Sequence, residues 1–235
     1  MVAQDIELEL PQGVRHALIG PNGAGKTTLL NLVTGMLAPD AGQILLGGED
    51  ITGVKPEGRV RRGLARTFQI NTLFPQLTVL ESVALAVLER DGHAHNWWRG
   101  LTRFGAELDE AASILQSLNL QKSLQRSTRE LPYGEQRLLE IALALATRPR
   151  VLLLDEPAAG VPKEESAELF AAIAGLSSAL TVLFIEHDMD VVFRFASRIH
   201  VMVGGRILVQ GTPEDIARDP RVREVYLGKA HRVPA

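Results

Sequence analysis

The chain has 235 residues and a formal net charge of −3, from 25 basic and 28 acidic side chains. No global basic excess therefore points to nucleic acid, and the length suits one α/β domain with an inserted subdomain better than two full domains. There is no cysteine, which excludes a disulfide framework and suits a reducing compartment. The longest apolar stretches, such as residues 83–88 and 141–146, are far shorter than the roughly 20 residues of a membrane helix. No secretory signal is recognised either, so a cytoplasmic chain, peripheral to any membrane it serves, is expected.

In chain order, residues 6–10 (IELEL) alternate apolar and acidic side chains, the period of a half-exposed antiparallel strand. Pro11-Gln12-Gly13 then turns the chain into the apolar run at residues 15–19, RHALI. Residues 20–28, GPNGAGKTT, fit the phosphate-loop pattern G-x-x-x-x-G-K-[ST] through Gly20, Gly25, Lys26 and Thr27. The helical run at residues 28–33 supplies the strand-loop-helix context that the motif requires. In such a loop the backbone N–H groups of Asn22, Gly23, Ala24 and Gly25 turn inward, and the helix N-terminus at Lys26, Thr27 and Thr28 adds its positive dipole end. Lys26 reaches the outer phosphates and Thr27 can hold a magnesium ion, so a nucleotide is the expected ligand.

Residues 39–42 (PDAG) end that helix, and residues 43–46 (QILL) with Gly47-Gly48 read as a strand and turn. Residues 55–66 (KPEGRVRRGLAR) place Val60 and Leu64 at helical spacing. Most of the charges of Lys55, Arg59, Arg61, Arg62 and Arg66 are therefore expected on a solvated helix face rather than in a nucleic-acid patch, since no aromatics interleave them. A strand-like run, ARTFQI, occupies residues 65–70 and includes Gln69. From residue 77 to 127 the texture is helical, with apolar residues at three- and four-residue spacing over 77–88 and 108–120. Between them residues 93–100 (HAHNWWRG) hold two histidines and both tryptophans without a nearby carboxylate or cysteine, an incomplete metal set.

Residues 131–136 (LPYGEQ) read by themselves as a turn before a helix at 137–146. Residues 151–154 form an apolar run without alternation, as a strand buried on both faces requires. Asp155 and Glu156 stand at its end, where open α/β sheets bind ligands, so Asp155 is placed to bind magnesium through water and Glu156 to orient an attacking water. A second buried run, residues 181–185 (TVLFI), ends in Glu186, His187 and Asp188, and His187 can sense a terminal phosphate there. Residues 198–209 (RIHVMVGGRILV) read as a hairpin turning at Gly204-Gly205, and Gly211-Thr212-Pro213-Glu214 as a helix start with a threonine cap.

Together GPNGAGKTT, LPYGEQ and VLLLDEP resemble the phosphate loop, signature motif and Walker B strand of ATP-binding cassette proteins. Gln69 falls where that family's Q-loop glutamine lies, His187 at its switch histidine, and residues 158–161 at its D-loop. The resemblance implies an α/β P-loop NTPase with a RecA-like core, an antiparallel β subdomain and an inserted α-helical subdomain. The core would comprise residues 1–73 and 150–235 and the helical part about 74–149. It implies ATP and Mg²⁺ as ligands, with Thr27, Gln69 and Asp155 toward the metal and Glu156, His187 and Gln69 serving hydrolysis. Residues 22–28 would cradle the phosphates, while Gly134 and Glu135 would be delivered to ATP on a second ATP-binding subunit. The signature departs from L-S-G-G-Q at Pro132, Tyr133 and Glu135, which weakens that contact without abolishing it.

Within the family, the strings ARTFQ, LPYGEQ, DEPAAG and IEHDMDVVF are most similar to branched-chain amino-acid importer ATPases. This implies two transmembrane permease subunits docked near Gln69, an indirect periplasmic solute-binding partner, no nucleic acid, and a seat on the inner face of the cell membrane. A lipid or polysaccharide exporter ATPase, and a soluble cassette ATPase in assembly or nucleic-acid work, are the open alternatives. Family members stack adenine on an aromatic before the phosphate loop, whereas here no Phe, Trp or Tyr precedes Phe68. Stacking contributes about 1–3 kcal/mol, so ATP and GTP are expected to bind within about tenfold of each other. Titration of both with magnesium tests this: a strong ATP preference at micromolar affinity would contradict it.

Overall fold

The computed structural model describes residues 3–67, 74–93 and 104–227. RHALI forms β1 (Arg15–Ile19), which passes through the glycine-rich loop into α1 (Lys26–Thr34). A hairpin of β2 (Leu45–Leu46) and β3 (Glu49–Asp50) precedes α2 (Pro56–Arg61) and β4 (Leu64–Arg66). Helices α3 (Val79–Arg90), α4 (Gly105–Ser117) and α5 (Tyr133–Leu145) intervene before β5 (Val151–Asp155). Then follow α6 (Lys163–Ala174), β6 (Thr181–Ile185) and α7 (Met189–Phe195). The hairpin β7 (Arg198–Val203) and β8 (Arg206–Gly211) leads to α8 (Pro213–Arg218) and α9 (Pro220–Leu227).

The main sheet has six strands in the order β4-β5-β6-β1-β7-β8. All pair in parallel except β8, which returns antiparallel along β7. Successive residues of the central strands alternate between two cores. Ala17, Ile19, Leu152, Leu154, Val182 and Phe184 join one apolar cluster with α3 to α6, while Leu18, Leu153, Leu183 and Ile185 join another beside α1 and the small hairpin. This explains why those strands carry no apolar–polar alternation: both faces are covered. Each such leucine or isoleucine, buried to about 1% exposure or less, stabilises the sheet by roughly 1.5–3 kcal/mol.

The Thr212 cap expected from the sequence is present: Thr212 and Asp215 form a capping box at α8 with Pro213 in the first turn. A second capping box, not read from the sequence, joins Thr78 and Glu81 at α3. Elsewhere neighbours override the pattern. Residues 6–10 form no strand; Ile6, Leu8 and Leu10 pack against the second cluster, so the alternation describes a face rather than a hydrogen-bonded ladder. The strand expected over residues 43–46 shrinks to the two of β2, and the helix expected to begin at Arg137 begins at Tyr133.

The helix expected through residues 55–66 ends at Arg61, Val60 is 39% exposed, and Leu64 lies in β4. Arg59 is not solvated but only 1% exposed. Its Nη1 donates to the Leu32 and Val33 carbonyls at 2.7 and 2.6 Å, its Nε to Val54 O at 2.8 Å and its Nη2 to Thr52 O at 2.8 Å. Arg59 thus closes the carbonyl end of α1, where orphan acceptors and the dipole favour a cation. The strand expected over residues 65–70 is described only to Arg66; Gln69 and residues 94–100 lie outside the described residues.

His16 of β1 and His200 of β7 meet inside the sheet, Nδ1 to Nε2 at 3.0 Å, and His200 is fully buried. Burial, then the neighbouring His16, pushes His200 down to about 4 net of an opposing Gln210 contact, and burial followed by Arg198 lowers His16. The unfolded chain therefore binds protons that the folded chain refuses, and this contribution to stability falls as pH drops from about 6.5 toward 4. For His200 it should amount to roughly 2 kcal/mol lost between about pH 7 and pH 5. Burial raises Glu140 and Glu186, which act with the opposite sign, so the histidine contribution is read as a difference. Urea unfolding at both pH values should show a His16→Leu, His200→Met double variant losing less stability on acidification than the parent; equal losses would contradict this.

Candidate nucleotide site

Parallel register brings three strand ends to one line. Ile185 of β6 is level with Asp155 of β5 on one side and Leu18 of β1 on the other. Residues 155–156, 186–187 and 20–26 therefore leave the sheet side by side at its carboxyl edge, where open α/β sheets bind ligands. At the end of β1, a Cβ on Gly20 would lie 2.1 Å from the Met202 carbonyl oxygen, so only glycine lets the loop pass β7. Gly25 caps α1 at φ 104°, a left-handed conformation natural to glycine, and offers no side-chain cap.

The N-terminal N–H groups of α1 are consequently left without a side-chain acceptor. Lys26 is 7% exposed and donates from Nζ to Gly20 O at 2.8 Å and Pro21 O at 3.2 Å. Burial holds its ammonium below the usual lysine range, while the Glu156 and Asp155 carboxylates pull it back up. Ala24 and Gly25 are buried, Thr28 is half-buried, and Asn22, Gly23 and Thr27 are exposed.

Arg66 Nη2 donates to Asp155 Oδ2 at 2.6 Å, and its Nη1 to Asn31 Oδ1 of α1 at 2.6 Å. Both side chains of the ion pair are 10% exposed or less, so β4, β5 and α1 are joined through one guanidinium. Glu156, just past β5, adopts φ 51°, a left-handed conformation uncommon outside glycine and characteristic of functional positions. Its Oε1 lies 2.7 Å from His187 Nε2. A carboxylate only accepts, so His187 donates from Nε2 to Oε1. Glu186, 6% exposed, accepts from Ala158 N at 2.9 Å and from His187 N at 3.2 Å. Arg66, which reads as part of a largely solvated basic run, and Glu186, which reads only as a strand-end neighbour of His187, are not identified as site residues by the sequence. Their only signal is position, one just before Gln69 and the other at a strand end beside His187.

Gly134 and Glu135 stand elsewhere, in the first turn of α5. A Cβ on Gly134 would lie 2.7 Å from Glu165 Oε2 of α6, and Ser123 Oγ donates to Glu135 Oε2 at 2.6 Å. Tyr133 lies against Gly160, whose added Cβ would come within 3.2 Å of its ring, and Arg137 both bonds its hydroxyl and lies over the ring at 4.8 Å. With Pro132 as N-cap and no side-chain cap bond, α5 presents its own uncapped N-terminus. The fold thus assembles Lys26, Asp155, Glu156 and His187 in one place and Gly134 with Glu135 in another.

The first group fits a nucleoside triphosphate: an uncapped helix N-terminus and a buried ammonium favour a polyanion. It also fits magnesium. Arg66 engages Asp155 Oδ2 and leaves Oδ1, and this metal characteristically takes one or two carboxylates with substrate phosphates. Among the described residues no cluster of three or more His, Cys, Asp and Glu could hold a metal alone. His93, from the histidine-rich stretch, pairs with Glu107 at 2.9 Å.

Residues 3–159 match the family model described as ABC transporter, and residues 206–232 match the one described as branched-chain amino acid ATP-binding cassette transporter. The chain is 40% identical to the high-affinity branched-chain amino acid transport ATP-binding protein BraF of Pseudomonas aeruginosa, covering 98% of this chain and 93% of that one. The corresponding protein LivG of Escherichia coli K12 is also 40% identical at the same coverage. Among solved structures, an ATP-binding cassette of an ABC transporter in its ADP conformation superposes with a TM-score of 0.84 at 30% identity. That match covers 97% of this chain and 92% of the other. A nucleotide-free ATP-binding cassette from an ABC transporter gives 0.82 at 30% identity, covering 96% and 92%.

Proposed function

The chain belongs to the ATP-binding cassette family of transporter ATPases, and from that premise we propose that it is the ATP-hydrolysing subunit of an importer for branched-chain amino acids. The observation that carries the hydrolytic reading is the 2.7 Å Glu156–His187 pair at adjoining strand ends, beside the buried Lys26. The near full-length similarity to BraF and LivG supports the solute class.

In this reading the N–H groups of residues 22–28 and the Lys26 ammonium hold the phosphates. Thr27, Asp155 and Gln69 would hold magnesium, which when bound neutralises charge on the phosphoryl oxygens. His187 fixes Glu156 through Oε1, so that Oε2 orients water and takes its proton. Gly134 and Glu135, remote from these groups in hydrogen bonding, act on ATP held by a second ATP-binding subunit, where the uncapped α5 N-terminus meets phosphate. Residues about 74–149 then form a helical arm that carries this loop, and the remainder forms the nucleotide core.

The importer reading seats the chain on two permease subunits at the inner face of the cell membrane, near Gln69, with a periplasmic solute-binding protein acting through them. No helix among the described residues is long and apolar enough to cross a membrane. The test is to co-purify the chain with its membrane subunits, reconstitute them in vesicles and follow uptake of labelled leucine, isoleucine and valine. ATP-dependent uptake, with hydrolysis stimulated by the solute-binding protein, is expected. Hydrolysis coupled instead to a lipid or polysaccharide would overturn the solute assignment.

A further inference from the structure

The hydrolytic pair relies on a turn that the backbone does not favour by itself. Glu156 is at φ 51°, and the chain leaves it through Pro157 into residues 158–161, whose own turn bonds run from Ala159 N to Glu156 O at 3.0 Å and from Val161 N to Ala158 O at 3.0 Å. Its partner His187 comes from a different strand end. Besides the Glu156–His187 contact and the bond from Glu156 N to Ile185 O at 3.1 Å, the side chain that bridges the two segments is Glu186.

We propose that Glu186 is a positioning residue for ATP hydrolysis: its buried carboxylate clamps the turn that carries Glu156 to the strand end that carries His187, holding the pair in register. This rests on the hydrolytic reading of Glu156 and His187 above. One oxygen, Oε1, receives the Ala158 N–H, two residues after Glu156, and the other, Oε2, receives the His187 N–H. Each oxygen therefore takes one of the segments to be aligned. A buried carboxylate is unfavourable unless its oxygens are satisfied, and these two backbone donors answer that need. Burial raises the group above the ordinary glutamate range, the Ala158 and His187 N–H groups pull it down, and nearby Glu156 pushes it up. Glutamine has the same shape but only one acceptor oxygen, and its NH₂ would face a backbone N–H, so a single substitution opens one arm of the clamp.

The test uses the full chain co-purified with its membrane subunits, with Glu186→Gln as the main variant and Glu186→Ala as the stronger one. A misplacement near 1 Å at a reacting group can lower rate by about 10²-fold. Glu186→Gln is therefore expected to lower kcat by about tenfold and Glu186→Ala by about a hundredfold. The dissociation constant for ATP should stay within about twofold, since the Lys26 loop is untouched. Amide hydrogen exchange over residues 157–161 should quicken in both variants. Turnover of Glu186→Gln within threefold of the parent would overturn the proposal, and so would a joint fall of kcat, ATP affinity and melting temperature, the mark of a merely structural residue. Glu156→Gln measured alongside separates the two levels. If it is inactive while Glu186→Gln is fully active, only the clamp fails; if Glu156→Gln keeps its turnover, the hydrolytic reading fails and the clamp with it.

Discussion

Glu156→Gln is expected to bind ATP as the parent does and to turn it over roughly 10²- to 10⁴-fold more slowly, the range lost with a general base. The amide keeps the shape of the side chain and an oxygen that can accept from His187 Nε2, so the 2.7 Å contact can persist. What it loses is the ability to accept a proton at the second oxygen. Binding depends on other groups, the α1 N-terminus and Lys26, which do not include this carboxylate. ATP should consequently accumulate unhydrolysed and hold two chains together, visible as an ATP-dependent dimer in gel filtration. Single-turnover kinetics within a few-fold of the parent would reject the base assignment.

Lys26→Ala is expected to lose affinity and turnover together. The ammonium is 7% exposed and already desolvated, so its interaction with phosphate oxygens is stronger than that of a surface lysine. A hydrogen bond to a charged group is worth about 1.5–3 kcal/mol, which corresponds to a roughly 10- to 150-fold weaker dissociation constant for ATP. Turnover falls further because phosphoryl transfer spreads charge onto the same oxygens in the transition state. Removal of the ammonium also deprives the Gly20 and Pro21 carbonyls of their donor, at 2.8 and 3.2 Å, so the empty loop should exchange its amides faster. Isothermal titration with magnesium present decides the matter: unchanged affinity would show that the backbone alone holds the phosphates.

The motifs with short-range causes were legible in the chain itself. A glycine-rich loop between an apolar run and a helix, a threonine before Pro213, a Gly204-Gly205 turn between two strands and the buried-strand runs at residues 151–154 and 181–185 each have a local physical reason, and each has its structural counterpart. From these the nucleotide loop, the acidic strand end and His187 could be named without coordinates. Tertiary structure alone decided what those parts touch. The order β5-β6-β1 sets residues 155–156, 186–187 and 20–26 side by side, and parallel neighbours are joined by crossovers whose placement no local pattern specifies. It buried Arg59 against the carbonyl end of α1 although its helix reads as solvated, because the Leu32 and Val33 carbonyls of α1 converge there with those of Thr52 and Val54 from the turn before α2. The pairing of Arg66 with Asp155 and of Glu186 with two backbone donors likewise joins segments 89 and up to 28 residues apart, so charge and spacing along the chain carry no trace of it. Residues 6–10 show the converse. Their alternation correctly gives the side that faces the core, but a strand also requires a neighbouring edge with matching N–H and C=O groups, and only the folded chain decides whether one is there.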